Sequence, residues 1–123
     1  MEKKYQELQE HVVKIQEKQR QLQKHQEALE QLMGQMKENE LVRDDLNELN
    51  EENTIYKLVG PALIKEDLAT AKDTVEKRIK FISEETTRQE KNVQSVTKEI
   101  ETIREKVIEI QEKINPRRTV EAK

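Results

Sequence analysis

The stretch Asn53-Thr54-Ile55-Tyr56-Lys57-Leu58-Val59-Gly60-Pro61-Ala62-Leu63-Ile64-Lys65 decides the fold. It is the part of the chain with strand composition: Thr, Ile, Tyr and Val, then a Gly-Pro turn signal, then a second short apolar run. The reading is a β-hairpin over about 54–65, with strands Thr54–Leu58 and Ala62–Lys65. An isolated two-stranded hairpin is marginal in water. This one exposes Ile55, Tyr56, Leu58, Val59, Leu63 and Ile64, and the sequence supplies no other strand to cover them. Uncovered edges pair with other chains. These six residues are therefore the candidates for subunit assembly.

Working outward, Leu68 and Ala71 lead into a long periodic series: Val75, Ile79, Ile82, Thr86, Gln89, Val93, Val96, Ile100, Ile103, Val107, Ile110 and Ile114. Ten of these twelve positions are Val or Ile. β-branched residues are only fair helix formers, so their confinement to one stripe points to packing rather than propensity. Glu66 and Asp67 are taken as the acidic first turn of this helix. Asn115-Pro116 disfavours its continuation.

On the other side of the hairpin, a second series recurs at spacings of three and four: Tyr5, Leu8, Val12, Ile15, Gln19, Leu22, Gln26, Leu29, Met33 and Met36. A period of 3.5 implies supercoiling against another helix. Gln19 and Gln26 are the polar exceptions, of the kind that fixes register at a cost in stability. Beyond Met36 the series slips. Glu40 and Arg43 fall where apolar residues are due, and Val42, Leu46 and Leu49 suggest a changed facing angle. Gly34 lies inside this helix and costs about 1 kcal/mol relative to Ala.

The expected fold is mainly α: a long antiparallel two-helix coiled coil, with one β-hairpin connecting the helices. Residues 1–123 form a single domain, with helix 1 over about 2–50, helix 2 over about 66–115 and a tail at 116–123. Each helix would be about 70 Å long at 1.5 Å per residue. Folded back antiparallel, Tyr5 to Met36 lies beside Ile114 to Ile82, with Ile100 and Ile103 near Gln19 and Leu22. A single long helix dimerising in parallel is the alternative, and the hairpin argues against it.

Composition supports this outline. Charged residues make up 40% and aromatic residues 2% of the chain, too little apolar surface for a wide core. Disorder is the competing explanation, but there are only two Pro and two Gly, and the helix formers Glu, Lys, Gln and Leu are abundant. The net charge is −3 with acids and bases interleaved, unlike the clustered basic face of a nucleic-acid binder. Arg117 and Arg118 read as a solvated tail. With no cysteine, thiolate zinc sites and thiol catalysis are excluded. The start, Met1-Glu2-Lys3-Lys4-Tyr5-Gln6, has no apolar core of a signal peptide. Leu58 to Ile64 is too short to span a bilayer. The expectation is a chain of the cytoplasm, with the nucleus also open, that binds no nucleic acid and no membrane.

No catalytic, cofactor or metal residue emerges. His11 and His25 stand beside the proposed seam, about 21 Å apart along a helix, too far for one metal ion, and read as surface histidines. The acidic run Glu38, Glu40, Asp44, Asp45, Glu48, Glu51 and Glu52 lacks the pattern of a calcium loop. It reads as a solvated face or a charged surface for a neighbouring subunit. Gly34 and Gly60 are too far apart to build a phosphate loop, so ATP use is not expected.

The segments Asn39-Glu40-Leu41-Val42, Ile55 through Leu68, and Lys77-Arg78-Ile79 resemble the β-type subunits of prefoldin. The Tyr-Lys-Leu-Val-Gly-Pro hairpin is the specific part, and the helices are generic. The resemblance implies a heterohexamer of α-type and β-type subunits whose hairpins join in a barrel platform. It implies ATP-independent capture of unfolded polypeptides, notably actin and tubulin, and delivery to the cytosolic chaperonin. On that footing the helix ends away from the hairpin are the candidate client surface: Tyr5, Leu8, Val12, Val13, Val107, Ile108, Ile110 and Ile114. Val13 and Ile108 are singled out because both fall outside the seam. A structural coiled-coil scaffold, or a subunit of a prefoldin-like complex serving other assemblies, remain the alternatives. A simple tether has no use for the hairpin.

Overall fold

The computed structural model describes residues 2–115. Pro116, Arg117, Arg118 and the rest of the proposed tail lie outside the described residues. The element order is α1 (Glu2–Glu48), β1 (Ile55–Val59), β2 (Ala62–Glu66) and α2 (Leu68–Ile114). Two long helices with one antiparallel hairpin between them match the architecture expected from the sequence.

The hairpin register follows from its turn. Val59 pairs with Ala62, leaving Gly60-Pro61 as a two-residue loop. Gly60 has φ +59°, and the proline ring holds φ near −65°. A type I′ turn needs positive φ at both central residues, so the turn is type II′, with glycine at its first central position. From there the pairs run Leu58 with Leu63, Lys57 with Ile64, Tyr56 with Lys65 and Ile55 with Glu66. The first strand is thus Ile55–Val59 rather than Thr54–Leu58, because a two-residue loop requires the strand to reach the glycine.

The loop before the hairpin is built by two asparagines. The Leu49 N–H bonds the Leu46 carbonyl at 3.2 Å, and α1 ends two residues before the expected Asn50. The Asn53 N–H donates to the Asn50 carbonyl at 3.0 Å. The Glu52 N–H donates to Asn50 Oδ1 at 3.0 Å, and the Asn50 N–H to Asn53 Oδ1 at 2.9 Å. Such side chain–backbone bonds compete with the helix and stop it. After the hairpin, Asp67 is the N-cap of α2. Its Oδ2 accepts from the Thr70 N–H at 3.3 Å, and its carbonyl accepts the Ala71 N–H at 2.9 Å. Glu66 and Asp67 are therefore not a first helical turn: Glu66 ends the strand and Asp67 caps the helix.

The chain divides into two compact units. One is Leu29–Arg88, carrying the hairpin. Its core is Leu46, Ala71 and Val75, with Leu49, Ile55, Leu68 and Ile79 packed against them. Leu46 of α1 thus packs with Ala71 and Val75 of α2 in this unit. The other unit runs up to Ala28 and resumes at Gln89. There Lys18 Nζ meets Glu99 Oε2 at 2.5 Å, and His25 Nδ1 lies 2.7 Å from Gln89 Oε1. As the sequence rises from Lys18 to His25 on α1 it falls from Glu99 to Gln89 on α2, so the two helices run antiparallel in this unit.

All twelve positions of the α2 series are buried or half-buried, as read from the sequence. The α1 series is half right. Leu8, Ile15, Leu22, Leu29 and Met36 face inward, but Tyr5, Val12, Gln19, Gln26 and Met33 are exposed. Their place is taken by Lys4, His11, Lys18, His25 and Leu32, one residue earlier in each heptad and all half-buried. His25 is thus not a surface residue beside the seam but part of it, whereas His11 is half-buried and, among the described residues, bonds only the Glu7 carbonyl of its own helix. Gln19 and Gln26 do not set the register. Further along, Asn39, Glu40 and Arg43 are half-buried while Val42 is exposed, so the facing angle does not change to suit Val42. The Lys18–Glu99 contact also places Ile100 near Lys18, in the expected region of Gln19, and Ile103 toward Ile15, about half a heptad beyond Gln19.

Candidate functional site

Successive strand residues point to opposite faces. Tyr56, Leu58, Leu63 and Lys65 share one face of the hairpin, and Ile55, Lys57, Val59, Ala62, Ile64 and Glu66 share the other. Tyr56 is 57% exposed, Leu58 69% and Leu63 68%, so the first face is an uncovered apolar surface. On the second face Val59 and Ile64 are also exposed. Ile55 differs, since it is half-buried against the Leu46–Ala71–Val75 core and anchors the hairpin to the helices. Five of the six candidate assembly residues are thus free to meet another chain. Both outer strand edges are unpaired among the described residues.

The candidate client residues fall into two groups. Leu8, Val107, Ile110 and Ile114 are half-buried in the seam, and Tyr5, Val12, Val13 and Ile108 are exposed. The helical period sorts the exposed ones further. On α1, Tyr5 and Val12 sit one heptad apart on the flank away from Lys18. On α2, Ile108 sits on the flank away from Glu99. Because Lys18 and Glu99 meet across one flank of the pair, Tyr5, Val12 and Ile108 share the opposite one. Half-buried Leu8 and Val107 lie between them. Val13 points straight outward instead, into a polar surround of Gln6, Glu10, Lys14 and Glu17. The structure therefore separates Val13 from Ile108 and brings Ile108 together with Tyr5 and Val12. Sequence reasoning missed this because it placed Tyr5 and Val12 inside the seam.

No group of three or more His, Cys, Asp or Glu that could hold a metal ion occurs among the described residues. No described helix is long and apolar enough to cross a membrane.

The described residues define a helix–hairpin–helix class of fold with an exposed apolar sheet face. The comparisons give that class its family. A family described as "Prefoldin subunit" matches residues 1–114. Prefoldin subunit 6 of Arabidopsis thaliana is 40% identical over 80 residues, covering 65% of this chain and 62% of that protein. Prefoldin subunit 6 of Saccharomyces cerevisiae is 36% identical over 76 residues, covering 62% and 67%. The Homo sapiens protein of the same name is 35% identical over 78 residues, covering 63% and 60%. The match thus spans about three fifths of the length of these relatives. In fold, the crystal structure of the prefoldin beta subunit from Thermococcus strain KS-1 is similar with a TM-score of 0.76, covering 81% of this chain and 88% of that one at 16% identity. The chain belongs to the prefoldin subunit family.

Proposed function

We propose that this chain is a subunit of an ATP-independent chaperone that holds unfolded polypeptides, assembled with α-type and β-type prefoldin subunits into a heterohexamer. The observation that carries the reading is the hairpin: Tyr56, Leu58 and Leu63 form an apolar sheet face that none of the described residues covers. A tethering coiled coil gains nothing from such a face, whereas a subunit of a multi-chain sheet requires it. Membership of the prefoldin family supports the same partners. The clients are unfolded chains such as actin and tubulin, and the destination is the cytosolic chaperonin, in the cytoplasm. Tyr5, Val12 and Ile108 are the exposed part of the client surface. Their patch is small and its affinity weak, and several such arms acting together raise the effective affinity.

The test is reconstitution. The chain is mixed with α-type and β-type prefoldin subunits, the complex is isolated, and suppression of aggregation of denatured actin is measured without nucleotide. A discrete hexamer that suppresses aggregation is the expected result. Failure to assemble would remove the reading, and assembly without suppression would leave only a scaffold.

A further inference from the structure

A groove of about 210 Å³ opens beside the hairpin in the Leu29–Arg88 unit. Its wall includes Val42, Leu46 and Val75 from the helices, and Tyr56 and Lys57 from β1, with Arg78 on its rim. Phe81, the sole phenylalanine of the chain, stands one turn beyond Arg78 on the same flank of α2 and is 62% exposed. Val42 on α1 is also exposed. A groove lined by Tyr56 and Arg78, with Phe81 a turn away, has the composition that concentrates binding energy at protein interfaces.

We infer that this flank is a second contact surface for a neighbouring prefoldin-type subunit, which inserts an apolar side chain into the groove and sets a carboxylate against Arg78. The inference rests on the assembly proposed above and extends it from the hairpin onto the helices. Two features select this occupant. Tyr56 and Lys57 belong both to the groove and to the hairpin, so a chain paired with the hairpin reaches the groove without a gap. The rim charges also favour an acidic partner. Arg78 forms no ion pair among the described residues, and Lys57 adds a second positive charge, so the groove stays net positive although Glu66 also lines it. An unfolded client is a poorer fit, because the groove adjoins the sheet that assembly covers.

The experiment places the photo-crosslinking residue p-benzoylphenylalanine at position 81 of the chain in the reconstituted assembly, followed by irradiation and mass spectrometry. An adduct to another prefoldin-type subunit is expected, in a peptide carrying Asp or Glu. An adduct confined to added denatured actin, to a second copy of this chain, or to nothing at all overturns the inference. In parallel, Arg78→Glu with Phe81→Ser should weaken assembly at least about tenfold, a loss typical of removing interface anchors. Undiminished affinity overturns the inference as well. If the unsubstituted chain forms no assembly, the proposed function has failed; if it assembles but position 81 yields no subunit adduct, only the groove has failed.

Discussion

Replacing Ile100 with Ala asks which side of α1 the second helix rests on. Ile100 is 5% exposed, among the most buried residues of its unit. Ile→Ala deletes three carbons, worth about 2.4 kcal/mol at about 0.8 kcal/mol per buried CH₂. Alanine is the better helix former by roughly 0.4 kcal/mol, which leaves a net loss of about 2 kcal/mol. The cavity contribution stays small because a two-helix layer collapses easily around a deletion. Val12→Ala is the contrast. Val12 is 40% exposed, so its two deleted carbons lose only about 1 kcal/mol of burial. Helix propensity returns roughly half of that, and the net effect is about 0.5 kcal/mol. Urea unfolding followed by far-UV circular dichroism, at one protein concentration, reads both differences. A loss on Val12→Ala as large as that on Ile100→Ala would refute the inward column of Lys4, His11, Lys18 and His25 and restore the Tyr5–Val12 seam.

Gly34→Ala should raise stability by about 1 kcal/mol, since the site is mid-helix and an added Cβ meets nothing within 4 Å; an unchanged or lowered urea midpoint would contradict this. Asp67→Ala should cost about 1 kcal/mol through loss of the α2 cap, with Asp67→Asn close to neutral in the same assay. Tyr5→Ser with Val12→Ser and Ile108→Ser, in an assembly of normal size, should weaken suppression of actin aggregation, whereas Val13→Ser alone should leave it unchanged. Equal suppression by the triple variant would move the client surface elsewhere.

The α2 helix was legible because its stripe is doubly marked, by spacing and by β-branched composition, and no neighbouring column competes with it. On α1 the column Leu8–Ile15–Leu22 was legible, but its flanks were not. One flank offers Tyr5, Val12 and Met33, and the other offers Lys4, His11, Lys18 and His25. Apolar content favours the first. The fold uses the second, where Lys18 reaches Glu99 and His25 reaches Gln89, while the aliphatic stems of the lysines still cover apolar surface. A choice that depends on polar partners from the opposite helix cannot be made from one helix alone. The same mistake hid the shared face of Tyr5, Val12 and Ile108. At the hairpin, the one-residue offset of β1 was readable in principle, from Gly60-Pro61 as a two-residue turn. The Asp67 cap was obscured by the adjoining Glu66, which made the two acids look like a single helical turn. The groove beside Phe81 left no signal in the sequence, because it needs β1 and both helices together.

The hairpin is tested most directly by Tyr56→Asp with Leu58→Asp. Both side chains are exposed in the chain by itself, so the double variant should keep its helix content by circular dichroism. In an assembled sheet the same two carboxylates would be buried without partners, a cost of several kcal/mol at each site. Mixed with α-type and β-type prefoldin subunits and weighed by native mass spectrometry, the original chain should enter a hexamer and the variant should remain outside it. A helical variant that enters the hexamer at the original yield would contradict assembly through this face.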